Sequence, residues 1–167
     1  LAEALEIPFY DNELITMAAE KTGLSVECFK DAEKTSIGNL FFSLTSLTPS
    51  IDAVGLPLNE KIFLVQSQVI KEVAAEGPCV IVGRSANYVL QDNPNVINVF
   101  LQADLPDRVK RAIDTYGQDP EGAEALVVKT DKRRANYFNY FTGQKWGKAE
   151  NYDLILNTSG MDLDKIV

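Results

Sequence analysis

Apolar and polar positions along this chain follow two rhythms, one helical and one extended. Leu14, Ile15, Ala18 and Ala19 recur at the spacing of one helical face, which predicts a helix over residues 12–22 with Asp11 as its cap and Gly23 as its stop. A longer helix is predicted from Asn59 to about Ala75, with Ile62, Val65, Val69 and Val73 as its buried stripe. Another begins after Asp104, tolerates Pro106 in its first turn, and turns Leu105, Val109, Ala112 and Ile113 inward and Arg108 with Arg111 outward. Residues 116–122 read as a loop, and a long helix from about Glu124 carries Lys129, Asp131, Lys132, Arg133 and Arg134 and then Tyr137, Phe138, Tyr140 and Phe141. Residues 1–5 read as the tail of a helix, Ser25 as the cap of a short one, and residues 161–167 as the start of another.

Between the helices lie short runs of strand length. Ile7-Pro8-Phe9-Tyr10 is extended, Cys79 to Val82 is an uncharged run, and residues 96–101 and 152–157 are two more strands. Strands alternating with helices predict an α/β fold with a mostly parallel sheet, and no internal repeat is visible. The run at 79–82 is launched by Gly77-Pro78 and is uncharged, as a strand covered on both faces must be. Gly83 and Arg84 follow it directly. Ligands of open parallel sheets bind beyond the carboxyl ends of the strands, and an arginine beside a glycine there suits an anionic group such as phosphate. Taken alone, an arginine after a core strand is more often a plain surface residue.

Composition narrows the field. The chain has 167 residues, enough for a single domain with a real core, and 46% of them are hydrophobic. No apolar run approaches the roughly 20 residues of a membrane helix, and no basic leader is visible. The formal net charge of −8 argues against a nucleic-acid polymer as partner, but leaves room for a small anion held by local arginines. Histidine is absent, which excludes Ser-His and Cys-His catalysis and His-ligated zinc. Cys28 and Cys79 are isolated thiols without metal spacing, consistent with a reducing cytoplasm.

Residues 35–59 differ from the rest. Only Asp52 is charged among them, and Phe41 and Phe42 are adjacent. The segment reads either as an insertion that closes over a substrate or as an oligomer contact, a homodimer being one form. Elsewhere the chemistry is carried by arginines: Arg84, Arg108 with Arg111, and Arg133 with Arg134. Asp131 and Arg134 are three apart on one helical face, where a carboxylate can orient a guanidinium toward phosphate or bind a sugar hydroxyl, or form an inconsequential surface pair. Phosphoryl transfer asks for fixed positive charge, magnesium and water exclusion more than for covalent help. Arginines converging on a strand-end crevice fit that chemistry better than any hydrolase.

The segments Ile-Pro-Phe-Tyr-Asp (7–11), Val-Ile-Val-Gly-Arg-Ser-Ala-Asn-Tyr-Val-Leu (80–90), Asn-Val-Phe-Leu-Gln-Ala (98–103), Arg-Val-Lys-Arg (108–111), Asp-Lys-Arg-Arg-Ala-Asn-Tyr-Phe (131–138), Trp-Gly (146–147) and Tyr-Asp-Leu-Ile-Leu-Asn-Thr-Ser (152–159), in that order, resemble the cytidylate kinase-like family. The likeness spans nearly the whole chain. It implies a P-loop NTPase-like parallel sheet flanked by helices, with residues 35–59 as an acceptor-side insertion and 117–147 as a lid. The implied activity is transfer of phosphate from ATP, with Mg2+, to a nucleoside monophosphate, CMP or dCMP first. The same resemblance admits a non-catalytic relative that binds nucleotide or protein, or a same-fold kinase of another small metabolite.

The resemblance also implies roles. Arg84 holds the acceptor's phosphate; Asp131 and Arg134 act from the lid, Asp131 toward the acceptor sugar and Arg134 toward the phosphates. Asp11 and Arg133 lie on the substrate side, and Arg108, Arg111 and Asn157 on the donor side. No metal ligand is assigned. Two departures stand out: Asn12 and Glu13 follow Asp11 where cytidylate kinases carry Ser-Gly, and the arginine those enzymes carry a few residues later falls near Met17. The family's phosphate-cradling loop precedes the helix that ends near Leu5, so its first strand and P-loop are expected upstream of Leu1. The Gly-x-x-x-Gly-Lys of residues 143–148 is one residue short of a P-loop and lacks its Ser or Thr.

Overall fold

Two parallel strands meet first. β1 (Phe9–Tyr10) pairs with β2 (Val80–Ile81), Phe9 opposite Val80 and Tyr10 opposite Ile81. The ladder runs on at both ends, since Val80 N–H donates to the Pro8 carbonyl and Val82 N–H to that of Tyr10, each at 2.9 Å. This is a computed structural model, and it describes residues 1–23, 25–27, 29 and 56–162. The residues divide into two compact units, Leu1–Pro94 and Asn95–Val167. Cys28, the helix expected beyond Phe29, residues 35–55 of the low-charge segment and residues 163–167 lie outside the described residues.

In the first unit, α1 (Ala2–Leu5) precedes β1, and the connection from β1 to β2 includes α2 (Glu13–Thr22) and α3 (Leu58–Glu76). The two pack by their predicted faces. Leu14, Ile15, Ala18 and Ala19 of α2 join Ile62, Val69, Ile70 and Val73 of α3, with Phe29 and Ala86, in one buried cluster. The small Ala18 and Ala19 let the helices approach, and each fully buried Leu, Ile or Val contributes about 1.5–3 kcal/mol. At the rim, Lys21 of α2 is ion-paired with Glu72 of α3. Gly23 ends α2 as expected, at φ 67° with its N–H on the Ala19 carbonyl.

Some details differ from expectation. Asn12, not Asp11, occupies the N-cap position of α2, because Asp11 is still at the strand end. Likewise α3 begins one residue before Asn59: the carbonyl of Pro57 accepts from Glu60 and Lys61 N–H at 3.0 and 3.1 Å, leaving Asn59 inside the first turn. Within α3, Gln66 is buried while Val65 is only half-buried. After β2, a four-residue helix, α4 (Ala86–Val89), starts the way out of the strand.

The second unit repeats the theme. β3 (Val99–Gln102) and β4 (Leu154–Asn157) are parallel, with Val99 opposite Leu154 and Gln102 opposite Asn157. α5 (Leu105–Asp114) and α6 (Pro120–Thr142) lie between them in sequence and pack on each other. Asp119 caps α6, its Oδ1 accepting from Glu121 N–H at 3.0 Å, and Pro120 takes the first position, where its missing N–H costs nothing. That cap starts α6 before the expected Glu124 and takes Gly122 into the first turn. Gly143 ends it at φ 68°.

Inward packing of α5 is narrower than predicted: Ala112 is buried, Val109 and Ile113 are half-buried, and Leu105 is exposed. β3 also starts later than expected, with Ile97 78% exposed and outside the ladder. An aromatic group gathers around Phe100 of β3. Phe100 meets Trp146 edge-on at 5.3 Å between centroids and Tyr152 at 4.9 Å. A 3-10 turn at Ala149–Asn151 leads into Tyr152, whose phenol burial pushes upward in pKa. No helix among the described residues is long and apolar enough to cross a membrane.

Candidate functional site

Parallel pairing brings the carboxyl ends of β1 and β2 side by side, and polar and charged residues leave both. Asp11 and Asn12 follow β1; Gly83, Arg84 and Ser85 follow β2. Arg84 Nη2 donates to Asn12 Oδ1 at 3.4 Å and lies 3.8 Å from Asp11 Oδ1. The arginine side chain is 17% exposed, so its charge works in a partly desolvated setting. On the other side of Asp11, its N–H donates to Glu13 Oε2 at 3.1 Å. Backbone hydrogen bonds from Glu13 itself and from Asp11 hold the Glu13 carboxyl below the usual range.

The turn that delivers Arg84 is unusual. Gly83, Arg84 and Ser85 all have positive φ, at 76°, 54° and 54°. Glycine adopts this region freely, whereas for arginine and serine each such residue costs roughly 1–2 kcal/mol. Ala86 N–H on the Gly83 carbonyl and the burial of Ser85 hold the turn in place. Backbone held this way marks candidate functional turns. Here it swings Arg84 back toward the end of β1.

The second unit has its own strand-end cluster. Asp104 follows β3, and Asn157 closes β4. Asn157 Nδ2 donates to Asp104 Oδ1 at 3.3 Å, Asp104 N–H to Ser159 Oγ at 2.7 Å, and Ser159 N–H to Asn157 Oδ1 at 3.0 Å. One helical turn further, Arg108 Nη2 donates to both carboxylate oxygens of Asp131, at 2.6 Å each. This pair ties α5 to α6, with the two side chains 31% and 27% exposed. Arg111 lies with its guanidinium carbon 5.8 Å from the ring centre of Tyr116, and its Nε donates to the phenol oxygen at 3.4 Å.

The sequence-expected residues thus form two groups. Asp11 and Arg84 come together at the ends of β1 and β2, and Arg108 and Asp131 come together between α5 and α6. Asn157 stands at the end of β4 beside Asp104, and Arg111 is on the next turn of α5 from Arg108. Arg133 and Arg134 are exposed on α6. The expected partner of Asp131 was Arg134, three residues along; its carboxylate instead faces Arg108. Sequence reading passed over Asn12, Ser85, Asp104 as a strand-end group, and Ser159. Asn12 had a signal, a polar residue close after a strand, but the adjacent Asp11 gives the same signal and carries the charge. Ser85 had none, because a positive φ at serine is not written in residue type.

Among the described residues no three acidic or thiol groups converge as a metal site. Cys79 is half-buried, and burial, with Glu76 nearby, raises its thiol pKa. A cleft lined by Leu105, Pro106, Val109, Lys110, Ile113, Asp114 and Glu124 runs along α5 and α6.

The family model described as the cytidylate kinase-like family matches residues 1–160. A protein of Corynebacterium glutamicum named uronate isomerase is 27% identical over 143 residues, which are 83% of this chain and 27% of that protein. The chain therefore spans about a quarter of the length of the curated relative it matches. The crystal structure of an uncharacterized protein from Eubacterium ventriosum superposes with a TM-score of 0.68 at 28% identity, over 99% of this chain and 82% of that one.

Proposed function

Because the chain belongs to the cytidylate kinase-like family, we propose that it is the nucleotide-handling part of a kinase that moves the terminal phosphate of ATP onto a nucleoside monophosphate. CMP and dCMP are the acceptors to test first. The observation that carries this reading is Arg84, delivered by a strained turn to the carboxyl ends of two parallel strands beside Asn12 and Asp11. A guanidinium at that point is suited to an acceptor's phosphate, with Asp11 turned toward the rest of the substrate.

Under this reading the fold is a P-loop NTPase-like domain and α6 is its lid. Asp131 and Arg133 serve the acceptor, Arg134 the transferring phosphate, and Arg108, Arg111 and Asn157 the donor. Arg111 beside Tyr116 has the flat cationic surface that a base stacks on. Magnesium would arrive with the phosphates, since it keeps several waters and takes one or two carboxylates rather than an all-protein cage. It would neutralise charge developing on the transferred group.

A panel of nucleoside monophosphates, with ATP and magnesium and the protein that contains this chain, tests the proposal by ADP release. Activity confined to pyrimidine monophosphates is expected. Silence across the panel, with nucleotide still bound, replaces it with a non-catalytic nucleotide-binding relative.

A further inference from the structure

Arg108 and Asp131 hold each other, and this leaves Arg108 without the geometry a phosphate uses. A guanidinium presents two forked edges, one made by Nε with Nη2 and the other by Nη1 with Nη2. Phosphate is gripped best when both donors of one edge point at it. Nη2 belongs to both edges. In this structure it donates to the two oxygens of Asp131 at 2.6 Å each, so neither edge is complete.

We infer that Asp131 competes with nucleotide phosphate for Arg108, so that the α5–α6 ion pair opens when phosphate binds there. The inference rests on the donor-side role proposed for Arg108. It deepens that role by giving α6 a defined resting contact and a defined event that ends it. Arg134 lies three residues along α6 and is exposed, within helical reach of the released carboxylate. The exchange therefore conserves charge pairing: Arg108 passes from Asp131 to phosphate, and Asp131 passes to Arg134. A partly exposed ion pair is weak enough for a multiply charged phosphate to displace.

The sign of one substitution separates this from the ordinary alternative. An Asp131 that positioned Arg108 for its ligand would weaken phosphate binding when neutralised. A competing Asp131 would strengthen it.

Titration calorimetry with tripolyphosphate on the protein containing this chain is the test. Asp131→Asn is expected to bind about two- to fivefold tighter than wild type, the size of a partly exposed ion pair. That gain should vanish when Arg108→Ala is added. Unchanged or weaker binding by Asp131→Asn overturns the inference, as does a gain that survives Arg108→Ala. Urea unfolding of the two single variants and the double supplies a second readout. The coupling between positions 108 and 131 should be present without ligand and lost at saturating tripolyphosphate, with chloride at matched ionic strength as control. Coupling that persists overturns the inference. Phosphoryl transfer by wild type without the Asp131→Asn gain removes the exchange and leaves the kinase reading standing. The gain without transfer to any acceptor does the reverse.

Discussion

Arg84 and Asn12 are hydrogen-bonded at 3.4 Å across 72 positions of sequence, one at the end of each strand of a parallel pair. The bond makes Asn12 a guide for the guanidinium rather than a simple helix cap. Arg84→Ala should weaken binding of a nucleoside monophosphate about ten- to hundredfold, as loss of a hydrogen bond to a charged group implies. Binding of the corresponding nucleoside, which lacks the phosphate, should barely change. Asn12→Ala should give a smaller loss of about two- to tenfold, seen mainly in KM. Equal losses for nucleotide and nucleoside would remove Arg84 from the phosphate site.

The turn that aims Arg84 makes a separate prediction about stability. Ser85 sits at φ 54° and is buried, so a β-branched side chain there meets its own carbonyl and its neighbours at once. Ser85→Val should cost about 1–3 kcal/mol in urea unfolding. Ser85→Gly should cost less, because glycine adopts this conformation freely. A valine variant as stable as the glycine one would mean that the turn relaxes without loss.

These two sites show why the sequence was legible in some places and opaque in others. The core helices could be read directly, because Leu14, Ile15, Ala18 and Ala19 repeat at helical spacing and their burial follows from that alone. Asp119 and Pro120 are equally plain as a helix start, yet Gly122 and the loop-like residues before it drew the predicted start to Glu124. Here the cap outweighed one glycine, whose cost is about 1 kcal/mol. The position of Arg84 after a strand was visible too. Its partner was not, since strand pairing over 72 residues leaves no local trace. The same holds for Asp131. Spacing along α6 favoured Arg134, but the packing of α5 on α6 supplied Arg108, and tertiary contact prevailed over helical neighbourhood.

Gly147 offers a test of the aromatic group on β3. It has φ 71°, and a Cβ placed there would lie 3.2 Å from Cζ of Phe100. Phe100 is held between Trp146 and Tyr152 and has little room to give way. Gly147→Ala should therefore destabilise the protein by about 1–3 kcal/mol, from the backbone conformation and the crowding together. Trp146 is the chain's one tryptophan, so its fluorescence should shift in the folded variant as its edge-on contact with Phe100 is disturbed. An unshifted spectrum with unchanged unfolding would place the ring of Phe100 elsewhere.

The link between α2 and α3 has a pH signature. Glu72 is ion-paired with Lys21, and that hydrogen bond lowers its carboxyl pKa below the ordinary value, helped by the side-chain amide of Gln68. A carboxyl whose pKa is lower in the folded than in the unfolded state binds fewer protons when folded. Its contribution to stability is thus fully present above the ordinary carboxylate pKa of about 4.5 and disappears as pH falls through the lower folded value. The pair is exposed, so salt should reduce the effect. Urea unfolding of wild type and Lys21→Met, followed from pH 7 down to about pH 3, should show two curves that differ at neutral pH and converge in acid. Raising the salt to about 1 M, where the Debye length is near 3 Å, should bring them together at every pH. A gap that is constant across the whole range would assign the stabilisation to the packing of the lysine's alkyl stem against α3 instead of to its charge.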